Sequence, residues 1–123
     1  MTDDDDVLAQ LLAREPLFHR LERGTTRADF EAATAPDYWE VGASGAVHDR
    51  EVVWSVLAER YAHPQPEEWV VDEAACRPLG GTTHLLTYRL QFLGRTTSRA
   101  TVWERTPEGW RALYHQGTVV VDG

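Results

Sequence analysis

The spacing of apolar residues changes period near residue 68, and that change restricts the chain to one kind of architecture. Before it, apolar side chains recur at helical spacing, first at Leu8, Leu11 and Leu12 and later at Val53, Val56, Leu57 and Tyr61. After it the period is two, so that His84, Leu86, Tyr88, Leu90 and Phe92 share one face of an extended segment. Helices first and antiparallel strands last predict an α+β domain, with the helices packed on one face of the sheet.

Local signals divide the two halves. Asp6 is suited to cap a first helix that Pro16 ends or kinks, and the apolar pattern resumes at Leu17, Phe18 and Leu21 until Gly24. Thr26 with Asp29 three residues on resembles a capping box, opening a second helix through Phe30 and Ala33 that Pro36 stops. Tyr38-Trp39-Glu40-Val41 reads as a strand and Gly42-Ala43-Ser44-Gly45 as a tight turn. Asp49 caps a third helix, terminated by Pro64 and Pro66. Segments 69–79, 82–92, 95–105 and 110–121 then form a meander, joined by Gly80-Gly81, Leu93-Gly94 and the Thr106-Pro107-Glu108-Gly109 loop.

Composition narrows the function. The 123 residues fit one domain, 1–123, with residues 1–6 expected as a disordered acidic tail. A single cysteine, Cys76, allows no internal disulfide, and neither a signal segment nor a membrane span is legible, so the expected location is the cytoplasm. All 12 basic residues are arginine, which excludes Schiff-base chemistry and a phosphate-loop lysine. Net charge is −8, with 17 acids against six arginines in residues 1–75 and three acids against six in residues 76–123. Such a balance argues against nucleic acid as a partner. The five histidines, His19, His48, His63, His84 and His115, lack metal-ligand spacing, and Gly42-Ala43-Ser44-Gly45-Ala46 lacks the last glycine of a nucleophile elbow. Neither a metal nor a cofactor is expected.

Four segments carry a resemblance that spans nearly the whole chain: Glu15 to Arg20, Tyr38-Trp39-Glu40-Val41-Gly42-Ala43-Ser44-Gly45, Arg99-Ala100-Thr101-Val102-Trp103, and Trp110 through His115-Gln116-Gly117-Thr118. Together they resemble the SnoaL-like domains of unknown function in the nuclear transport factor 2-like superfamily. The resemblance implies a cone-shaped, cystatin-like fold, in which N-terminal helices pack on a strongly curved antiparallel sheet with a pocket at its open end, as a homodimer. Its relatives include ketosteroid isomerase, polyketide cyclases and epoxide hydrolases as well as modules without chemistry, so the fold leaves function open. The base position of ketosteroid isomerase falls near Gly42 here, a departure that speaks against isomerase activity.

The candidate ligand-binding residues are Trp39, Glu40, Tyr88, Arg99, Trp103, His115 and Gln116. Arg99 sits mid-strand, where a guanidinium needs a partner, and Glu40 is the carboxylate expected to answer it. A two-residue turn at Leu93-Gly94 places Tyr88 opposite Arg99 and His84 opposite Trp103. A four-residue loop after Arg105 sets Gln116 opposite Arg99, whereas a three-residue loop brings His115 to its side, and the sequence leaves both open. These residues fit a homodimeric domain with a mainly apolar pocket for a small cyclic or aromatic carbonyl or carboxylate compound. The alternatives are a general acid/base enzyme using Glu40, His115 or Tyr88, and a dimerisation scaffold without a ligand. Both faces of Arg95 to Arg105 carry groups worth covering, Val102 and Ala100 on one and Trp103 and Thr101 on the other, so one face is expected to pack on the helices and the other to meet a second copy.

Overall fold

The computed structural model describes residues 3–14, 25–63, 69–92 and 94–120. In chain order these form α1 (Asp3–Leu12), α2 (Arg27–Ala33), β1 (Thr34–Val41), β2 (Val47–Asp49), α3 (Arg50–Ala62), β3 (Trp69–Gly80), β4 (Thr83–Phe92), β5 (Arg95–Thr106) and β6 (Gly109–Val119). Glu15 to Arg20, Leu21, Gly24, Pro64, Pro66 and Leu93 lie outside the described residues.

The caps of α2 and α3 stand where the sequence puts them. The Asp29 amide donates to the Thr26 hydroxyl at 3.2 Å while the Asp29 carboxylate accepts from the Thr26 amide, closing the capping box. Asp49 accepts from the Val52 amide at 2.9 Å and so opens α3. Helix α1 departs from expectation. It starts at Asp3, so Asp6 lies inside the helix instead of capping it, and Asp3 to Asp6 are its first turn rather than an acidic tail. Acidic residues are favoured there by the positive end of the helix dipole. A second departure is Pro36, which sits within β1 rather than marking the end of α2. It falls in the irregular stretch between Thr34 and Trp39 where no ladder hydrogen bond is required of it.

The six strands form one sheet in the order β2-β1-β6-β5-β4-β3. The expectation of a wholly antiparallel sheet is corrected here, because β1 runs parallel to β6 and makes the sheet mixed. A parallel neighbour needs a long crossover, and the chain from α3 through the meander supplies it. Besides one at the end of β3, between Pro78 and Gly80, three irregularities bend the sheet. One extra residue of β3 falls between Asp72 and Ala75, with Glu73 at φ 52°; β1 is irregular between Thr34 and Trp39; and Leu113 of β6 has no partner on β5, because Trp103 faces Ala112 and Val102 faces Tyr114. Bulges of this kind sharpen local twist and curl a sheet that would otherwise lie flatter.

Inside the curl, Leu86, Tyr88 and Leu90 from β4, Trp103 from β5 and Trp110 and Ala112 from β6 meet Val7 and Leu11 of α1, Phe30 of α2, and Val53 and Leu57 of α3. Arg50 ties the helical layer together: its Nη2 donates to the Glu31 and Thr34 carbonyls at 2.9 and 3.2 Å, and its Nε to the Thr34 hydroxyl at 3.0 Å. Arg50, the first residue of α3, thus satisfies the Glu31 carbonyl in the last turn of α2, while the Thr34 hydroxyl donates to that of Phe30 at 2.8 Å.

Burial gives a direct check on the docking of α1. Leu11 is fully buried, whereas Leu79 on β3 is 53% exposed. Leu11→Ala is expected to lower unfolding free energy by about 2–5 kcal/mol, and Leu79→Ala by no more than about 0.5 kcal/mol, in denaturant titrations.

Candidate functional site

Residue alternation on β5 and β6 assembles the site. Thr97, Arg99, Thr101 and Trp103 point inward from β5, and the missing partner of Leu113 turns His115 and Gly117 inward from β6. Neither loop alternative from the sequence describes the link. The turn proper is Pro107-Glu108, with Thr106 paired to Gly109, and the bulge moves the register by one so that Arg99 faces Gly117 and Thr101 faces His115. His115 is 8% exposed; Gln116 lies on the outer face and accepts from the Tyr114 hydroxyl at 2.7 Å.

Arg99 is held by neutral groups. Its Nε donates to the Thr97 hydroxyl at 2.9 Å and its Nη1 lies 3.2 Å from His115 Nε2, while the other ring nitrogen, Nδ1, is 2.7 Å from the Thr101 hydroxyl. A guanidinium has only hydrogens to offer, so Nε2 must present its lone pair and Nδ1 must carry the ring hydrogen. Thr101 thereby fixes the tautomer of His115, and His115 in turn aims Arg99. Gly117 leaves the space the guanidinium occupies, since a Cβ there would stand 3.4 Å from Arg99 Cζ.

The expected Arg99–Glu40 ion pair is not formed: among the described residues no carboxylate lies within 4 Å of Arg99. Glu40 instead accepts from the Tyr38 hydroxyl at 3.0 Å through Oε2, and Oε1 has no hydrogen-bond partner among the described residues. Burial pushes the Glu40 carboxyl above the usual carboxylate range, against the Tyr38 hydrogen bond and the charges of His48, Arg99 and Arg60, which act to lower it. Glu40 and His115 are neighbours across the parallel β1–β6 pair, on the same face.

Between Glu40 and Arg99 opens a cavity of about 240 Å³, with Val41, Val53, Val56, Leu57 and Phe92 as apolar walls and Arg60 and Arg95 also lining it. A second hollow, about 530 Å³, lies on the outer face against Thr87, Ser98, Gln116 and Thr118, beside the Arg89–Glu73 ion pair. It is a shallower, more open depression, and the less open cavity, with apolar residues in its wall beside Glu40 and Arg99, is the better candidate site.

The structure thus brings Glu40, Arg99 and His115 together at the cavity, which none of the other four candidates lines. Tyr88 lies opposite Arg99 and His84 opposite Trp103, as the short turn implies, but Tyr88 and Trp103 are buried in the core and do not line the cavity. Trp39 is on the outer face, 45% exposed and packed on Tyr114 with ring centroids 4.4 Å apart, because it alternates with the inward Tyr38 and Glu40. Sequence reasoning missed Thr97, Thr101, Gly117, Arg60 and Arg95. The alternation of Thr97, Arg99 and Thr101 was the one available signal for a polar strip along β5. Among the described residues no three His, Cys, Asp or Glu side chains converge as metal ligands would, and no helix is long and apolar enough to cross a membrane.

Likeness to solved structures defines the class: the chain has the NTF2-like, cystatin-like fold. It superposes on an NTF2-like protein from Cytophaga hutchinsonii with a TM-score of 0.75 at 13% identity, covering 98% of this chain and 100% of that one. A proposed dehydratase of the NTF2-like family from Streptomyces avermitilis gives 0.72 at 24% identity, over 98% and 100% of the two chains. A proposed ketosteroid isomerase from Parabacteroides distasonis gives 0.64 at 13% identity, over 89% and 85%. No family model matches the chain, and no curated protein matches it.

The raised proton affinity of Glu40 has a consequence for stability. A carboxyl whose folded value lies above its unfolded one favours folding while protonated, and that contribution is lost as pH rises through the folded value. Glu40→Gln, which keeps an acceptor for Tyr38, should therefore stabilise the protein at neutral pH. Thermal unfolding against pH should show this gain shrink and level off as pH falls below the ordinary glutamate value of about 4.3.

Proposed function

We propose that the protein is a SnoaL-like, homodimeric, cytoplasmic binding domain whose cavity takes a small cyclic or aromatic compound bearing one carboxylate or carbonyl group. The observation that carries this reading is the state of Arg99. Two of its five N–H groups are held by Thr97 and His115, and the rest have no partner among the described residues beside an apolar-walled cavity. Because its holders are neutral, the full positive charge remains to be answered. A carboxylate ligand would do so, with its apolar ring against Val53, Leu57 and Phe92. Glu40, with its raised proton affinity, is suited to donate a hydrogen bond to a second ligand oxygen rather than repel it.

General acid/base catalysis is the second reading, and the unengaged Oε1 of Glu40 favours it. Against it, both ring nitrogens of His115 are committed to Arg99 and Thr101, which makes that histidine a positioning residue. The homodimer is supported by the outer face, where exposed Trp39 continues into the half-buried Tyr114, Val102, Ala100 and Leu85.

Thermal shift with benzoate and cyclohexanone tests the ligand class, since a ligand at about a hundred times its Kd adds roughly 2.7 kcal/mol to stability. Both should raise Tm, glucose 6-phosphate should not, and Arg99→Gln should weaken benzoate about ten- to a hundredfold while sparing toluene. A shift with the sugar phosphate alone would overturn the assignment. For the assembly, sedimentation should give a dimer at micromolar concentration, and Val102→Arg a folded monomer; a wild-type monomer would refute it.

A further inference from the structure

The cavity holds more positive charge than a single carboxylate needs. Arg60 comes from the last turn of α3 and Arg95 is the first residue of β5, so two elements far apart in the chain each contribute an arginine to the lining of the same cavity. Both are exposed, whereas Arg99 is half-buried, which places Arg99 at the inner end and the other pair at the mouth. In a chain of 20 acids and 12 arginines, an arginine finds a carboxylate easily: Arg89 and Arg111 each meet one, and Arg27 meets two. Among the described residues none of the three cavity arginines has a carboxylate within 4 Å. Glu40 is the only acid among the described residues lining the cavity, and its Oε2 faces Tyr38. Three like charges around one small space repel one another unless an anion enters between them. The lining also includes the apolar Val53, Val56, Leu57 and Phe92, which can meet a spacer between the charges.

We propose that the ligand of this cavity carries two acidic groups on an apolar spacer, one held by Arg99 at the inner end and the other by Arg60 and Arg95 at the mouth. This rests on the acid-binding reading above and adds the second group. At about 240 Å³ the space is smaller than the roughly 300–1,000 Å³ of sites for drug-sized molecules, which suits a single ring or a short chain. The mouth arginines are wet, so their contribution is modest and sensitive to salt, while Arg99, partly desolvated, supplies the stronger anchor.

Titration calorimetry with matched acids tests the proposal, using benzoate against terephthalate and hexanoate against adipate. In the wild-type protein the diacid of at least one pair should bind about fivefold or more tightly than its monoacid, as two exposed ion pairs allow. In the Arg60→Gln, Arg95→Gln double variant that advantage should vanish, with monoacid affinity within about twofold of wild type. Both positions are exposed, so the variant should fold, as circular dichroism would verify. If monoacids bind and neither diacid binds better, or the advantage survives in the double variant, the two-acid ligand is wrong and the acid-binding reading stands. If no acid of either kind binds, both fall.

Discussion

One unpaired residue, Leu113, decides what the inside of this protein is. Up to Ala112 the β5–β6 ladder follows the register of the tight turn at Pro107-Glu108; beyond it every residue of β6 is displaced by one. Because side chains alternate along a strand, such a displacement exchanges the two faces. Without it Gln116 would face Arg99 and His115 would lie on the outer surface. With it, the buried strip receives an imidazole beside the guanidinium and a glycine beneath it, and the glutamine is left to the solvent.

The rest of the site follows from how Arg99 is satisfied. A carboxylate at contact distance would neutralise the guanidinium and close the site, as buried ion pairs do in purely structural roles. Thr97 and a neutral His115, itself set by Thr101, instead meet its geometry without meeting its charge. That arrangement is tolerable because the cavity keeps the guanidinium half-exposed. Glu40 stands across the same space, tied to Tyr38 rather than to Arg99, and its acidity is weakened by the burial that the helices impose. Among the described residues no carboxylate lies within 4 Å of the cavity arginines, and the NTF2-like fold by itself does not say what the cavity is for.

Much of the architecture was legible because it is written in local chemistry. Thr26 with Asp29, and Asp49, mark helix starts through hydrogen bonds to amides three residues away, which depend on little beyond the segment itself. The β4–β5 pairing was legible for a similar reason, as a two-residue link fixes its neighbours, and Tyr88 does lie opposite Arg99. Features that depend on distant partners were not. The parallel β1–β6 pair joins segments far apart in the chain, Pro36 is accommodated by an irregular stretch of β1, and Asp3 to Asp6 become helix once Val7 and Leu11 dock on the sheet.

The candidate site divides along the same line. Arg99, Glu40 and His115 could be chosen from sequence because a charged or titratable group inside an apolar alternation is costly unless it has a purpose. Trp39, Tyr88, Trp103 and Gln116 were equally eligible by residue type, and only burial and register sent them to the outer surface or the core. Arg60 and Arg95 look like ordinary surface arginines in the sequence, and only the fold brings both to the lining of one cavity. The sequence by itself determined the α+β class, the helix starts and the short turns, since these are set within a few residues. The tertiary structure decided which face each strand presents and which charges meet, since both hang on bulges and packing between segments far apart in the chain.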